Sequence, residues 1–179
     1  MLSQAPETHF APETSVPVNR VWAILADLQN AHARILTCMR EMTKATAKPG
    51  PDKIAYTTAR FRLSEASFAR RLVLQSAFDF LFSRASLSDR QVISRLRVAD
   101  LELAQQTSLH VNRWTPEKVL LDWGSYCRAS NDLRHAILKQ VELERTMLYP
   151  LLHKHGSRPR REIRLIPIQQ FIAEEAMVN

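Results

Sequence analysis

The chain is poor in residues that interrupt helices and in patterns that build sheets. Only three of its 179 residues are glycine, and its nine prolines lie near the chain ends or at the boundaries of periodic apolar segments. No segment alternates apolar and polar residues for long enough to form a half-buried strand. These shortages argue against a β-rich fold, and the sequence predicts an all-α protein.

Cysteine and long apolar runs are scarce as well. Cys38 and Cys127 show no metal-type spacing, so we expect free, buried thiols in a reducing compartment. The N-terminal stretch MLSQAPETHFAPETS lacks the apolar core of a signal peptide. No apolar run approaches the ~20 residues that span a bilayer. The sequence therefore predicts a cytoplasmic protein without a membrane span.

Motifs for catalysis are missing too. The sequence contains no nucleophile–base pairing, no glycine-rich phosphate loop, no paired catalytic carboxylates and no cysteine pairs at zinc spacing. An enzyme is therefore the least supported class of protein, and we expect a non-catalytic regulatory or binding protein.

Apolar residues at helical spacing are what the sequence does contain, and they predict four long helices. We place them from after Ser15 to about residue 48, and at about 52–84, 89–112 and 116–149. Short connections between long helices imply an antiparallel up-down-up-down four-helix bundle, here over residues 17–152. A flexible arm of residues 1–16 precedes the bundle. A basic spacer and a short amphipathic C-terminal helix follow it, within residues 153–179.

Local signals set the predicted helix boundaries. Ser88, with Gln91 three residues later, matches a capping box that opens the third helix. Thr115 and Pro116 match an N-cap and a first helical position. We expect the fourth helix to bend near Gly124 and to stop at the Tyr149-Pro150 step, because a proline inside a helix removes a hydrogen bond.

Ionisable side chains interrupt the apolar stripes that these helices are predicted to bury. His32 lies at the centre of the first stripe, His110 near the end of the third, and Glu144 on or beside the fourth. Metal sites in bundles are assembled from such inward side chains, and imidazole and carboxylate are good ligands for iron, manganese or zinc. Three pairs at i, i+4 spacing place a glutamine beside a possible ligand: Gln75 with Asp79, Gln106 with His110, and Gln140 with Glu144.

The order of the helices, His32 in mid-helix, and the segment ELERTMLYPLL near the end of the fourth helix resemble a hemerythrin-like (HHE cation-binding) four-helix domain over about residues 18–152. Such domains hold an oxygen-bridged di-iron centre that binds or senses oxygen, nitric oxide or redox state. The resemblance implies that His32, His110 and Glu144 lie at ligand positions. Other positions depart from the ligand pattern of the family: Gln75, Gln106, Gln140 and Asp79.

Two interpretations of these residues remain open. In the first, the metal site is reduced or absent, no cofactor is bound, and a polar core cluster remains that includes Gln75, Asp79, Gln106 and Gln140. Glu144 is then paired with an arginine or a core histidine, because an unpaired buried charge is costly. In the second, His32, His110 and Glu144 hold one iron or zinc ion in a working sensor.

The positive charge of the chain is unevenly distributed. The formal net charge is +7, and residues 53–99 alone carry nine basic and three acidic residues. This hairpin predicts an acidic partner such as nucleic acid or another polyanion, bound non-specifically. The candidate residues are Arg60, Arg62, Arg70, Arg71, Arg84, Arg90, Arg95 and Arg97, with Arg158, Arg160, Arg161 and Arg164 as auxiliaries.

The C-terminal segment, residues 163–178, carries an apolar series that is too large to leave in water. It comprises Ile163, Leu165, Ile166, Ile168, Phe171, Ile172 and Met177. Each large side chain gains about 1.5–3 kcal/mol when it is fully buried, so the segment must cover something. A groove on its own bundle and the same groove on a second copy are both possible, and we expect the dimer.

Overall fold

The computed structural model describes residues 19–156, and every regular element within them is an α-helix. The helices are α1 (Asn19–Thr46), α2 (Lys53–Phe82), α3 (Leu87–Arg113), α4 (Pro116–Leu121) and α5 (Trp123–His155). The predicted all-α class is confirmed for this part of the chain. The predicted N-terminal arm and C-terminal segment lie outside the described residues. No helix between residues 19 and 156 is long and apolar enough to cross a bilayer.

Side-chain caps begin helices α2 to α5, and the one at Thr115 was predicted from the sequence. Asp52 caps α2 by accepting a hydrogen bond from the Ala55 amide at 3.0 Å. Thr115 caps α4, and Pro116 follows it in the first turn. The prediction for α3 was wrong by two residues, because Ser86 rather than Ser88 accepts the Asp89 amide, at 3.2 Å.

The predicted bend near Gly124 is instead a break between two helices. Asp122 has φ −139° and ψ 69°, which is outside the helical region, so α4 ends and α5 begins around it. Its carboxylate accepts the Ser125 amide at 3.1 Å and thereby caps α5. Because of this break, α4 is a separate helix of six residues, and its Val119 is buried in the core.

The prediction that the last helix stops at Pro150 was wrong, because α5 continues to His155. Pro150 is exposed and lacks the amide that would bond to the preceding turn, at a cost of about 3 kcal/mol. Leu151 and Leu152 beyond it are buried, and each gains about 1.5–3 kcal/mol from burial. The packing of these leucines offsets the cost of the proline.

Contacts at the helix ends show the direction in which the helices run. The ring of Trp22, near the start of α1, lies 5.0 Å from that of His153, near the end of α5. Lys154 bonds to Asp89, in the first turn of α3, at 2.7 Å. At the other end of the molecule, the ring centroids of His110 and Tyr126 lie 5.9 Å apart. Helix α5 therefore runs opposite to both α1 and α3.

Between residues 19 and 156, the core consists of three apolar clusters that follow one another along the helices. One surrounds Leu148 and Leu152, a second surrounds Ile35 and Ile137, and the third is an aromatic cluster that includes Tyr126. The stripe predicted for the first helix is confirmed, because all seven of its residues are buried: Val21, Leu25, Leu28, His32, Ile35, Met39 and Met42.

Helix α2 presented two neighbouring apolar faces in the sequence, and only one of them enters the core. The buried face includes Leu63, Leu74, Phe78 and Leu81. The other face carries Phe61, Phe68 and Leu72, and each of these side chains is more than half exposed. Cys38 and Cys127 are both free thiols, as expected; Cys38 is buried and Cys127 is half-buried.

A pair of leucine truncations tests this assignment of the core. We expect Leu148→Ala, which removes a fully buried side chain, to lower the free energy of unfolding by about 2–5 kcal/mol. Leu121→Ala is the matched control, because Leu121 is 86% exposed and its truncation should change stability by less than about 0.5 kcal/mol. Urea unfolding followed by circular dichroism measures both. Equal losses in the two variants would contradict the packing of α5.

Candidate functional site, a buried polar network around Glu144

The carboxylate of Glu144 is fully buried and is surrounded by hydrogen-bond donors. Its Oε1 accepts from Arg70 Nη2 at 2.7 Å and from Gln140 Nε2 at 2.8 Å. Its Oε2 accepts from Arg70 Nε at 3.1 Å and lies 2.8 Å from His32 Nε2. An ionised carboxylate offers about four lone-pair positions, so these four contacts saturate it. The two bonds from Arg70 form the bidentate fork that is strongest between these groups.

Four helices supply the members of this network. His32 comes from α1, Arg70 from α2, Asp100 from α3, and α5 supplies Gln140, Glu144 and Tyr149. Each position follows from the helical period. Arg70 lies between Ala66 and Leu74 on the buried face of α2, and Asp100 lies between Leu96 and Leu103 on α3. The network therefore crosses the core where apolar side chains would otherwise meet.

Arg70 joins two carboxylates. Besides its fork to Glu144, its Nη2 donates to Asp100 Oδ1 at 2.7 Å. Asp100 has a second cation, because Arg71 Nε lies 3.6 Å from its other oxygen on the solvent side. Two arginines thus compensate two carboxylates, which is the condition under which charges are tolerated in a core.

His32 links Glu144 to Tyr149. Because an ionised carboxylate only accepts, the proton on the ring must lie at Nε2, and this nitrogen donates to Glu144. The Tyr149 hydroxyl, 2.8 Å from Nδ1, then donates to that nitrogen when the imidazole is neutral. Burial raises the pKa of Tyr149, so its hydroxyl keeps its proton. The two rings stack with centroids 5.7 Å apart.

The network stabilises the charges of Glu144 and Arg70 against burial, but not fully that of Asp100. Burial raises the pKa of Glu144, but the hydrogen bond from His32 and the charge of Arg70 outweigh it and hold that pKa below its usual value. Burial lowers the pKa of Arg70, and Glu144 and Asp100 more than reverse this effect. The pKa of Asp100 is raised, because burial and the nearby Glu144 charge outweigh the attraction of the arginines.

The donor set does not fit the metal that the resemblance implies. The lone pairs of Glu144 are occupied, His32 presents a proton to that carboxylate, and the guanidinium of Arg70 is a fixed cation beside it. No group of three histidine, cysteine or acidic side chains within residues 19–156 has a metal-binding arrangement. A cation placed here would meet the charge of Arg70 and have no free carboxylate to bind.

His110 does not join this network. It contacts Tyr126, which precedes Glu144 on α5 by 18 residues, or about 27 Å of helix. The structure therefore does not bring His32, His110 and Glu144 together, and the three-ligand site predicted from the sequence is wrong. Burial, with the charges of Arg60 and Arg134, lowers the pKa of His110 to about 4.

Three members of the predicted polar core cluster lie on the surface. Gln75, Asp79 and Gln106 are exposed, and only Gln140 is part of the buried network. Gln75 donates to Asp79 at 2.9 Å, and Arg97 also donates to Asp79. For Gln75 and Asp79 the prediction was wrong because it followed the outward face of α2, whose apolar residues are as regular as those of the inward face.

Arg70, Asp100 and Tyr149 belong to the network although the sequence did not predict them as site residues. The sequence does contain a signal that Arg70 faces inward. Ala66 and Leu74 lie four residues before and after it, so all three side chains share one face of the helix, and that face is apolar on both sides of Arg70. The interpretation that Glu144 pairs with an arginine or a core histidine is confirmed, since Glu144 contacts Arg70 and His32 at once.

The arginines proposed for polyanion binding occupy different environments. Arg70 is 2% exposed, so its assignment to a binding surface was wrong. Arg60 donates to the carbonyl oxygen of Trp114 and to that of Val111, the latter at 2.9 Å. Arg60 thereby caps the end of α3. The others lie at the surface: Arg62 beside Glu41, Arg71 beside Asp100, Arg97 beside Asp79, Arg84 and Arg90 beside phenylalanine rings, and Arg95 in solvent. Polyanion binding stays a prediction, and the four auxiliary arginines lie outside the described residues.

One cavity lined by the described residues is too small for a typical substrate. A cavity of about 130 Å³ lies between α2 and α3 beside Arg71 and Asp100, below the roughly 300–1,000 Å³ of typical ligand pockets. Burial raises the pKa of the Cys38 and Cys127 thiols, which makes both poor nucleophiles. Comparison of the chain with protein-family models, curated proteins and solved structures found no match.

Removing the charge of Glu144 tests the network. We expect Glu144→Gln to lower the free energy of unfolding by about 3–5 kcal/mol at neutral pH, because Arg70 then loses its main counter-charge inside the core. Glu142→Gln is the matched control, since Glu142 is exposed on the same helix and should change stability by less than about 0.5 kcal/mol. Urea unfolding provides the comparison.

The same pair of variants gives a pH signature. The pKa of Glu144 in the folded protein lies below its unfolded value, so its contribution is complete above the unfolded pKa and is lost as pH falls through the folded one. The stability difference between the wild type and Glu144→Gln should therefore shrink as pH falls below about 4. A difference that stays constant on acidification would contradict an ionised Glu144.

Proposed function

We propose that this protein is a non-catalytic bundle of hemerythrin-like shape that acts by binding another protein, with Arg70 in place of the metal. The observation that carries this proposal is the saturated carboxylate of Glu144, whose acceptor positions are taken by Arg70, Gln140 and His32. A carboxylate in this state has no position left for a metal ion or a substrate.

Within this proposal, α1, α2, α3 and α5 form an up-down-up-down bundle. The opposed directions of α5 against α1 and α3 support it. Helices α1 and α2 also run in opposite directions, because Glu41 pairs with Arg62 at 3.2 Å and Arg34 with Glu65 at 3.7 Å. Short connections between these helices agree with antiparallel neighbours.

The guanidinium of Arg70 takes the electrostatic role that a metal ion has in such a bundle. It lies between Glu144 and Asp100 and compensates carboxylates from two helices. Unlike a metal ion, it offers no exchangeable coordination position, so oxygen, nitric oxide or a substrate has nothing to bind. The resemblance to hemerythrin-like domains then describes the shape of the protein and not its chemistry.

Exposed apolar side chains on α2 and α3 support a binding role. Soluble monomers seldom leave large contiguous apolar patches in water, and such patches mark contacts with other chains. We call the following residues the outer face: Ile54, Phe61, Phe68, Leu72 and Phe82 on α2, with Leu87, Val98, Leu101 and Leu109 on α3. Each of them is between 39% and 81% exposed.

Elemental analysis of protein purified without a histidine tag tests the proposal. We expect no stoichiometric iron, manganese or zinc, and no change in melting temperature when a chelator is added, because Arg70 already compensates Glu144. Stoichiometric metal that is lost in Glu144→Gln but kept in Glu142→Gln would overturn the proposal. It would place the metal at the site that we assign to the guanidinium.

A further inference from the structure

The outer face forms two apolar stripes that begin at the same end of the molecule. On α2, Phe82 and Phe68 are 14 residues apart, and on α3, Leu87 and Leu101 are separated by the same number. Each interval corresponds to about 21 Å of helix. The stripes start beside the turn between α2 and α3, where Leu87 is 81% exposed.

The described chain ends beside this turn. Lys154, in the last turn of α5, bonds to Asp89 in the first turn of α3 at 2.7 Å. Gly156 is buried against α1. A Cβ added at Gly156 would lie 3.1 Å from Val21 Cγ1, so the end of α5 packs tightly against α1 at this point. The residues after Gly156 therefore leave the molecule within reach of Phe82 and Leu87.

The length of the remaining chain matches the stripes. Residues 157–162 span at most about 20 Å when extended, which is enough to pass over the turn. Residues 167–178 would form about 18 Å of helix with Pro167 in the first turn, where proline is tolerated. Ile168, Phe171 and Ile172 then lie on one side of that helix, at i, i+3 and i+4 spacing.

The charges of the two surfaces are complementary as well. Residues 165–179 contain Glu174 and Glu175 and no lysine or arginine. Arg71, beside Leu72 on α2, has a side chain that is 45% exposed, and α2 and α3 together carry nine basic residues against five acidic ones. Docking would bring this acidic helix against a basic surface with an apolar centre.

We propose that residues 163–178 dock along the outer face of α2 and α3 of the same molecule. This inference goes beyond the binding role, because it names what covers the apolar stripes when no partner is bound. The dimer expected from the sequence assumed that the bundle had no apolar surface left to cover, and the exposed phenylalanines of α2 remove that assumption. A tethered segment also acts at an effective concentration on the order of 1 mM, far above that of a second copy.

Disulfide trapping in the full chain tests the proposal. In a Cys38→Ala, Cys127→Ala background, Ile172→Cys is combined with Leu101→Cys or, in a second variant, with Phe68→Cys. Both receiving positions are more than 60% exposed, so these substitutions should leave the fold intact, and circular dichroism checks this. The matched control combines Ile172→Cys with Leu121→Cys, because Leu121 is 86% exposed and lies just before α5, at the opposite end of the molecule.

We expect a disulfide within one chain in either test variant, at monomer mass. At about 1 μM protein it should form roughly a thousandfold faster than any bond between chains. Disulfide-linked dimers instead would overturn the proposal in favour of a second copy as the occupant. Crosslinking in both test variants no faster than in the Leu121→Cys control would show that the segment does not dock on the outer face.

Discussion

The contact between Arg70 and Glu144 is the constraint on which the rest of the structure depends. Neither charge can be buried alone, because the effective cost of desolvating one ion is several kcal/mol. The fork between them is possible only when α2 and α5 hold one register, and the bonds to Asp100 and His32 extend that requirement to α3 and α1. One carboxylate thereby fixes the relative positions of four helices.

We expect such a network to contribute specificity more than stability. Apolar side chains of similar volume often replace a buried ion pair without loss, so the pair adds little net free energy compared with leucine packing. Its value is that every misaligned packing leaves a charge unpaired. In a bundle whose apolar clusters consist largely of interchangeable aliphatic residues, this penalty selects one arrangement. The same saturation leaves the carboxylate of Glu144 without a free acceptor position.

The sequence predicted what depends on one helix alone, and it failed where two helices had to be compared. The stripe of α1, the start of α2 near residue 52 and the cap at Thr115 follow from local spacing, and the structure confirms them. The inward face of α2 could not be read in this way, because Phe61, Phe68 and Leu72 repeat as regularly as the residues of the true core face. The exposed stripe was mistaken for a core face, and Gln75 and Asp79 were then placed inside.

Arg70 and Pro150 show the same limit. Arginine is rarely buried, so Arg70 was assigned to the surface, and only the carboxylates of α3 and α5 make its burial possible. A proline inside a helix usually breaks or kinks it, and the packing of Leu151 and Leu152 lets α5 continue past Pro150. In both cases a tertiary contact outweighed a local preference.

A double-mutant cycle between Arg70 and Glu144 tests the central claim most directly. Arg70→Met, Glu144→Gln and the double variant are unfolded in urea at neutral pH. If the guanidinium is the cation that Glu144 requires, each single change leaves a buried charge without its main partner, and the double change costs clearly less than the sum of the two. The coupling energy should then be about 2 kcal/mol or more. Costs that simply add would show that another cation compensates Glu144, and would contradict this account.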